Sequence, residues 1–279
     1  MRVPIPASSF RSRPPALDAV GAFLRRDYRV VRSYRFPFVL DTFFGILQLA
    51  VSYFIAQTFE DFESAQLGGA PDYFAFAAIG IVMALVVEAA AEGLAEKVRF
   101  EQTTGSLEAL MAQPIGVGQL CAGLASFPFA FALVRTLFYL SIAAVWMGLD
   151  LGRTDWPGLA LVFLLSATAL AGLGIVAAAA VLVFKRGETL SGVALFGMTL
   201  ISGSVFPVSV LPGWLQDIGS VLPLRFAFDG VREALFTGSG WGGDALALGA
   251  FTVVGLPLAV LLFGQALQAA RRAGSLGEA

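Results

Sequence analysis

Three glutamates, Glu88, Glu92 and Glu96, recur at steps of four at the end of an apolar stretch, and one arginine, Arg135, sits inside another. At helical pitch the three carboxylates share one face. A charge at the centre of a membrane helix costs roughly 2.5–3.5 kcal/mol on insertion scales, so it turns toward protein or water. Two uses fit these residue types. One is a structural ion pair between Glu88 and Arg135; the other is a proton or ion relay through Glu88, Glu92 and Arg135. The pair, or simple interfacial carboxylates, is the expectation. Asp41, near the start of the first apolar run, is expected to reach the headgroup layer.

Other chemistry is excluded by composition. The chain has no His, which removes His-based acid–base catalysis, Ser-His-Asp triads and most zinc sites. Its one cysteine, Cys121, permits no intrachain disulfide and reads as a small buried residue. No Asn is present for glycosylation. A phosphate-binding P-loop needs Gly-Lys before Ser or Thr, but Lys97 follows Glu96 and Lys185 follows Phe184. ATP hydrolysis, if used, must come from another chain. No metal site, no cofactor and no nucleic-acid partner are expected of this chain.

The elements that hold these residues are membrane helices. Hydrophobic residues make up 57% of the 279, charged residues 14%, and mean hydropathy is +0.79, against about 25% charged in soluble domains. The apolar residues come in runs of bilayer length. Six spans are expected: 36–58, 73–94, one within 120–149 and centred on 127–149, 159–184, 190–208 and 245–267. Residues 1–15, rich in Pro, Ser and Arg, read as a flexible tail, and the late, Arg-preceded first apolar run argues against a signal peptide. In residues 16–35, Leu17, Val20, Leu24, Tyr28, Val31 and Tyr34 share a helical face while Arg25, Arg26, Arg29 and Arg32 lie largely off it. This is the pattern of a helix lying in the headgroup layer. Small residues from Ala167 through Gly172 and Gly174 to Ala180 suit close helix packing.

Charge asymmetry sets the expected orientation. With the N-terminus cytoplasmic, fourteen of the eighteen Lys and Arg fall inside, and only Arg153, Arg225 and Arg232 outside. The four tryptophans then lie near the outer face, and both termini, including the tail at 271–279, are cytoplasmic.

Two connections stand out. Between spans two and three, Thr104 or Ser106 can cap a short helix that Glu108 suits electrostatically and Pro114 ends, with Leu107, Leu110 and Met111 on one face. So short a helix with an apolar ridge needs a groove; either the membrane surface or a cytoplasmic partner would supply one. After span five, the stretch 207–236 is apolar but broken by Pro207, Pro212, Gly213 and Pro223, so its pieces re-enter the membrane or lie along it.

These residues resemble the membrane subunit of ABC-2 type exporters. Glu101, Gly105, Ser106, Leu107, Glu108, Leu110 and Pro114 match that family's cytoplasmic loop in order. Gly203, Phe206, Pro207, Leu211, Pro212, Trp214, Leu215, Leu222, Pro223 and Leu224, followed by Arg232, match its series before the last span. The resemblance covers essentially the whole chain. It implies an all-α integral membrane protein: a tail and amphipathic connecting helix (1–35), then a six-span domain (36–270). That domain would contain a coupling helix (about 104–113, including Met111) and re-entrant helices closing an outer gate (about 207–236). It further implies a non-catalytic permease, two copies of an ATPase subunit that binds ATP and Mg, and a second permease copy, identical or paralogous. A prokaryotic plasma membrane and a drug, lipid or lipid-linked glycan substrate would follow. The alternative is an ion-coupled secondary transporter or channel using Glu88, Glu92 and Arg135. A lipid-modifying membrane enzyme is disfavoured by the lack of His and of a metal-ligand cluster.

Overall fold

The computed structural model describes residues 16–33, 35–58, 67, 69–184 and 187–273, and no strand occurs among them. The expected tail at 1–15, Tyr34, Lys185, Arg186 and the side chains of Asp41 and Glu92 lie outside the described set.

In chain order the helices are α1 (Ala16–Ser33), α2 (Arg35–Thr58), α3 (Tyr73–Thr103), α4 (Ser106–Met111) and α5 (Val117–Trp146). Then come α6 (Trp156–Val183), α7 (Gly187–Ile201), α8 (Gly213–Ser220), α9 (Pro223–Arg232) and α10 (Gly242–Arg272). Four of these, α3, α5, α6 and α10, are long and apolar enough to cross a membrane by length and composition. The expected first and fifth spans fall on shorter apolar stretches, Thr42–Thr58 in α2 and Thr189–Ile201 in α7. α7 stops well before residue 208 because the chain turns at Gly203, where φ is +87°, a conformation that glycine adopts without Cβ strain.

α3 is the central rod. Its first part is apolar on every side, and a helix of that kind belongs in an interior; Phe74 through Met83 are buried without a break. Asp72 caps it, accepting from Ala75 N at 2.7 Å. The helix does not end at Leu94 as expected but runs on to Thr103 through a π-helical turn, Glu88–Glu92. Small residues let neighbours come close: a Cβ at Gly80 would collide with the Ser204 carbonyl, and one at Gly174 of α6 with the Ala90 carbonyl. α5 begins earlier than the expected span three and carries Pro128 inside it. Pro128 cannot donate a backbone bond, and its ring lies 3.0 Å from where a Gly93 Cβ would stand.

α1 packs along α5 with a face different from its apolar stripe. Ala19, Phe23 and Asp27, four apart, are buried, and Phe23 fills the space left by Gly123. Leu17, 85% exposed, and Tyr28 point away from the chain. Val20, Leu24 and Val31 of the periodic stripe are half-buried, and the fully packed face is a narrower strip beside it. Outward-facing Val39, Phe43 and Phe54 on α2, Val134 and Leu137 on α5, and Val253, Val254 and Leu261 on α10 give the bundle an apolar exterior.

Candidate functional site

Two polar clusters sit near the two ends of α3, roughly 37 Å apart along the rod at 1.5 Å per residue. The first surrounds the α3–α4 turn. Glu101 is only 2% exposed. Its Oε1 lies 2.8 Å from Nη1 of Arg26 on α1, and its Oε2 accepts from the Ser106 hydroxyl. Asp27, equally buried, lies 3.0 Å from Nε of Arg26 and, through its second oxygen, 3.0 Å from Nζ of Lys97. Two buried carboxylates and two half-exposed cations therefore fasten α1 to the last turns of α3. Burial of a carboxylate is tolerable because each has a cation and a hydrogen-bond donor.

The turn itself departs from the expected cap. Gly105, with φ +69°, is the residue before α4, and no side chain caps the helix. The Thr104 hydroxyl turns back to Phe100 O at 2.8 Å and meets the Ser106 hydroxyl at 2.8 Å. The hydroxyls close the end of α3 instead, because the two-residue turn Thr104–Gly105 leaves them beside its last carbonyls.

The expected apolar ridge is also reoriented. Leu107 is 0% exposed and joins the core, with Leu110 and Met111 half-buried against it. Packing Leu107 into the core removes its apolar surface from water. The face left outward is Glu108, Ala109 and Ala112, followed by Gln113 and Pro114.

The second cluster centres on Arg232, 1% exposed. Its guanidinium carbon lies 3.7 Å from the Phe76 ring centre, and Nη2 donates to Gly203 O at 2.8 Å and Phe76 O at 3.3 Å. Asp229 Oδ1 is 3.7 Å from Nη1, and Arg225 Nε binds the same carboxylate at 3.2 Å. Burial pulls the Arg232 pKa down to about 10, opposed by Asp229, so the group stays cationic at neutral pH. Burial also raises the Asp229 pKa, against the lowering pull of Arg232 and Arg225. Arg232 thus ties α9 to α3 and to the turn after α7. Tyr73 adds a bond to Val205 O at 3.2 Å. Pro207, Pro223 and Leu224 are buried here; Phe206, Leu211, Leu215 and Leu222 are half-buried, and Pro212 and Trp214 face outward. Nearby, Asp155 caps α6 and accepts from the Trp241 indole at 3.0 Å.

The first cluster forms part of the wall of a cavity of about 890 Å³ bounded by α1, α3, α5 and the α3–α4 turn. Glu88, Glu96 and Arg135 all line it. Arg135 also donates to Tyr139 Oη at 3.3 Å and stacks near Phe131. Among the described residues no three His, Cys, Asp or Glu side chains converge where a metal could sit.

Sequence reasoning named Arg232 and Glu101 but missed Asp27, which pairs with Arg26 and Lys97, and Phe76, which lies against Arg232. Asp27 was legible as the acidic break in a basic run, four residues from Phe23. Phe76 carried no signal, since it is one aromatic among many apolar neighbours.

An all-helical bundle with four helices of membrane-crossing length and an apolar exterior defines a multi-pass membrane protein. The ABC-2 type transporter family matches residues 19–236, and the chain belongs to it. It is the permease component, of a family whose members normally work with a cytoplasmic ATP-binding-cassette ATPase. Comparison with curated proteins gave no match.

Proposed function

We propose that the chain is an exporter permease, moving a hydrophobic or amphipathic substrate such as a drug, lipid or lipid-linked glycan out across a prokaryotic plasma membrane. Two copies of a separate ATPase, binding ATP and Mg, drive two permease chains. α2 and α7 complete a six-span unit with α3, α5, α6 and α10, and both termini are cytoplasmic. α4 is the coupling helix, and it meets the ATPase through Glu108, Ala109 and Ala112. α8 and α9 are re-entrant and, held by Arg232, form the outer gate.

The observation that carries this reading is the Arg26–Glu101–Ser106 chain of contacts. It fastens α4 to both α1 and α3, so a displacement of α4 is delivered to the central rod. The test is co-purification of the tagged chain from native-host membranes in mild detergent, with Ala109→Asp as the variant. Recovery of an ATPase that the variant loses supports the reading; no ATPase with either chain overturns it.

The shared cavity of Glu88, Glu96 and Arg135 favours one second reading, ion-coupled transport without an ATPase. Uptake or efflux driven by an ion gradient in vesicles holding this chain alone, lost in Glu88→Gln, would establish it.

A further inference from the structure

Three stretches among the described residues wind as π turns: Glu88–Glu92 within α3, Glu233–Thr237 after α9, and Phe251–Gly255 within α10. The second stands at a helix end, closed by the left-handed Gly238. The other two interrupt long helices. A π turn is a single wider turn closed by i→i+5 bonds, and such turns are where long helices kink.

These two turns meet across α6. Gly174 lies against the Ala90 carbonyl, and a Cβ there would stand 2.9 Å from Cα of Ala91. Two residues earlier, a Cβ on Gly172 would lie 3.7 Å from Leu256 N and 3.8 Å from the Gly255 carbonyl carbon. Gly93, directly after the α3 turn, faces Pro128 of α5, whose Cβ would lie 3.0 Å from its own. Pro128 gives no N–H to the Leu124 carbonyl, and Pro257, just past the α10 turn, gives none to Val253. One contiguous band across α5, α3, α6 and α10 therefore holds two π turns, two interior prolines and the glycines that let the helices touch. The chain on either side of the band is fastened. Toward α4, the contacts of Arg26, Asp27, Lys97, Glu101 and Ser106 brace α1 to the end of α3, and Phe23 at Gly123 braces α1 to the first turns of α5. Toward the other end, Arg232 holds Phe76 O and Gly203 O, and Gly80 abuts the Ser204 carbonyl.

The geometry points to this band as the hinge of the permease, with Gly93, Pro128 and Gly174 as its positioning residues. Two braced blocks joined through irregular turns move by bending at those turns. α1, α4 and the adjoining ends of α3 and α5 tilt as one block against the half that holds Arg232. The cavity of about 890 Å³ straddles the band: its α3 wall runs from Leu85 through Ala89 and Gly93 to Phe100, and Pro128 stands in its α5 wall. Bending at the band thus changes the shape of that cavity. The arm Gly93–Thr103 has 11 residues, about 16 Å at 1.5 Å per residue. A bend of about 20° would displace its end by about 5 Å. As the transport stroke, the hinge rests on the permease reading; as the bending point of the chain it does not.

The test is pulsed electron spin resonance on the full chain in nanodiscs. Spin labels sit at Ala22→Cys on α1 and Leu246→Cys on α10, both exposed, in a Cys121→Ala background. The otherwise native chain should give a broad distribution of label distances. Deletion of Ala89 turns the α3 π turn into regular α-helix with both flanks kept in register, and should narrow the distribution to one peak while the size-exclusion profile is kept. Pro128→Ala, which restores one backbone donor, should narrow it in the same sense and carries the test if the deletion misfolds. In the complex recovered with its ATPase, ATP with vanadate should move the mean distance by about 5 Å in the native chain and leave both variants unmoved. Equal widths in the native chain and the folded variants would overturn the hinge. An ATP-driven shift that persists in the variants overturns the hinge and leaves the permease reading standing. Narrowing in the variants without any response to ATP, or without an ATPase to recover, keeps the hinge and overturns its use in an ATP-driven stroke.

Discussion

Arg26 of α1 and Glu101 of α3 stand 2.8 Å apart, with the Ser106 hydroxyl on the other oxygen of the same carboxylate. One buried acid therefore joins three helices: the N-terminal α1, the central α3 and the short α4. Arg26 is 38% exposed on its side chain, so its share of the pair is partly screened. In a double-mutant cycle of Arg26→Ala and Glu101→Ala, followed by detergent-titrated unfolding, the coupling energy should be about 1 kcal/mol. Additive effects would show that the two side chains act separately.

Leu107 and Ala109 occupy opposite sides of α4. Leu107→Ala should cost about 2–4 kcal/mol of stability, because it empties a fully buried site. Ala109→Asp should leave the thermal unfolding midpoint nearly unchanged, being exposed, while weakening capture of the ATPase. If Leu107→Asp and Ala109→Asp behave alike in both measurements, the inward orientation of the ridge is wrong.

Arg232 tests whether charge or shape holds α9. Arg232→Lys keeps the cation but loses the planar fork that reaches Gly203 O, Phe76 O and Asp229 together. Arg232→Met should lower stability by about 3 kcal/mol, the order expected for a desolvated cation–π contact with charged hydrogen bonds. Lysine should recover less than half of that. Full recovery by lysine in thermal unfolding would reduce the site to a point charge.

Glycines supply an internal contrast. Gly80→Ala and Gly174→Ala should each destabilise by about 1–3 kcal/mol, since backbone carbonyls occupy the space a methyl needs. Gly192→Ala and Gly197→Ala on α7 meet nothing nearby and should be neutral or stabilising by up to about 1 kcal/mol. Heat-denaturation midpoints of the four variants decide it.

Glu88 and Arg135 line one cavity, and the expected ion pair predicts coupling of about 1 kcal/mol between Glu88→Ala and Arg135→Ala. Independent effects on unfolding would remove the pair.

The sequence was informative wherever a property is local or compositional. Runs of apolar residues required helices in a bilayer, because hydrocarbon leaves a backbone no other partner. Missing His and a missing Gly-Lys motif restricted the chemistry. Gly105 and Gly203, Glu101 and Arg232 were marked out by the resemblance to the ABC-2 family, and each holds a turn or a buried charge in the fold. What periodicity could not decide was direction. Leu107 turns inward, and α1 packs through Phe23 and Asp27 rather than through Leu17 and Tyr28. A helix with several apolar positions has more than one face that can be buried, and only the neighbouring helices choose among them. Tertiary packing alone set Phe76 beneath Arg232 and brought Arg26 to Glu101. Contacts between residues far apart in sequence depend on the shapes of whole helices, which no short stretch of the chain encodes.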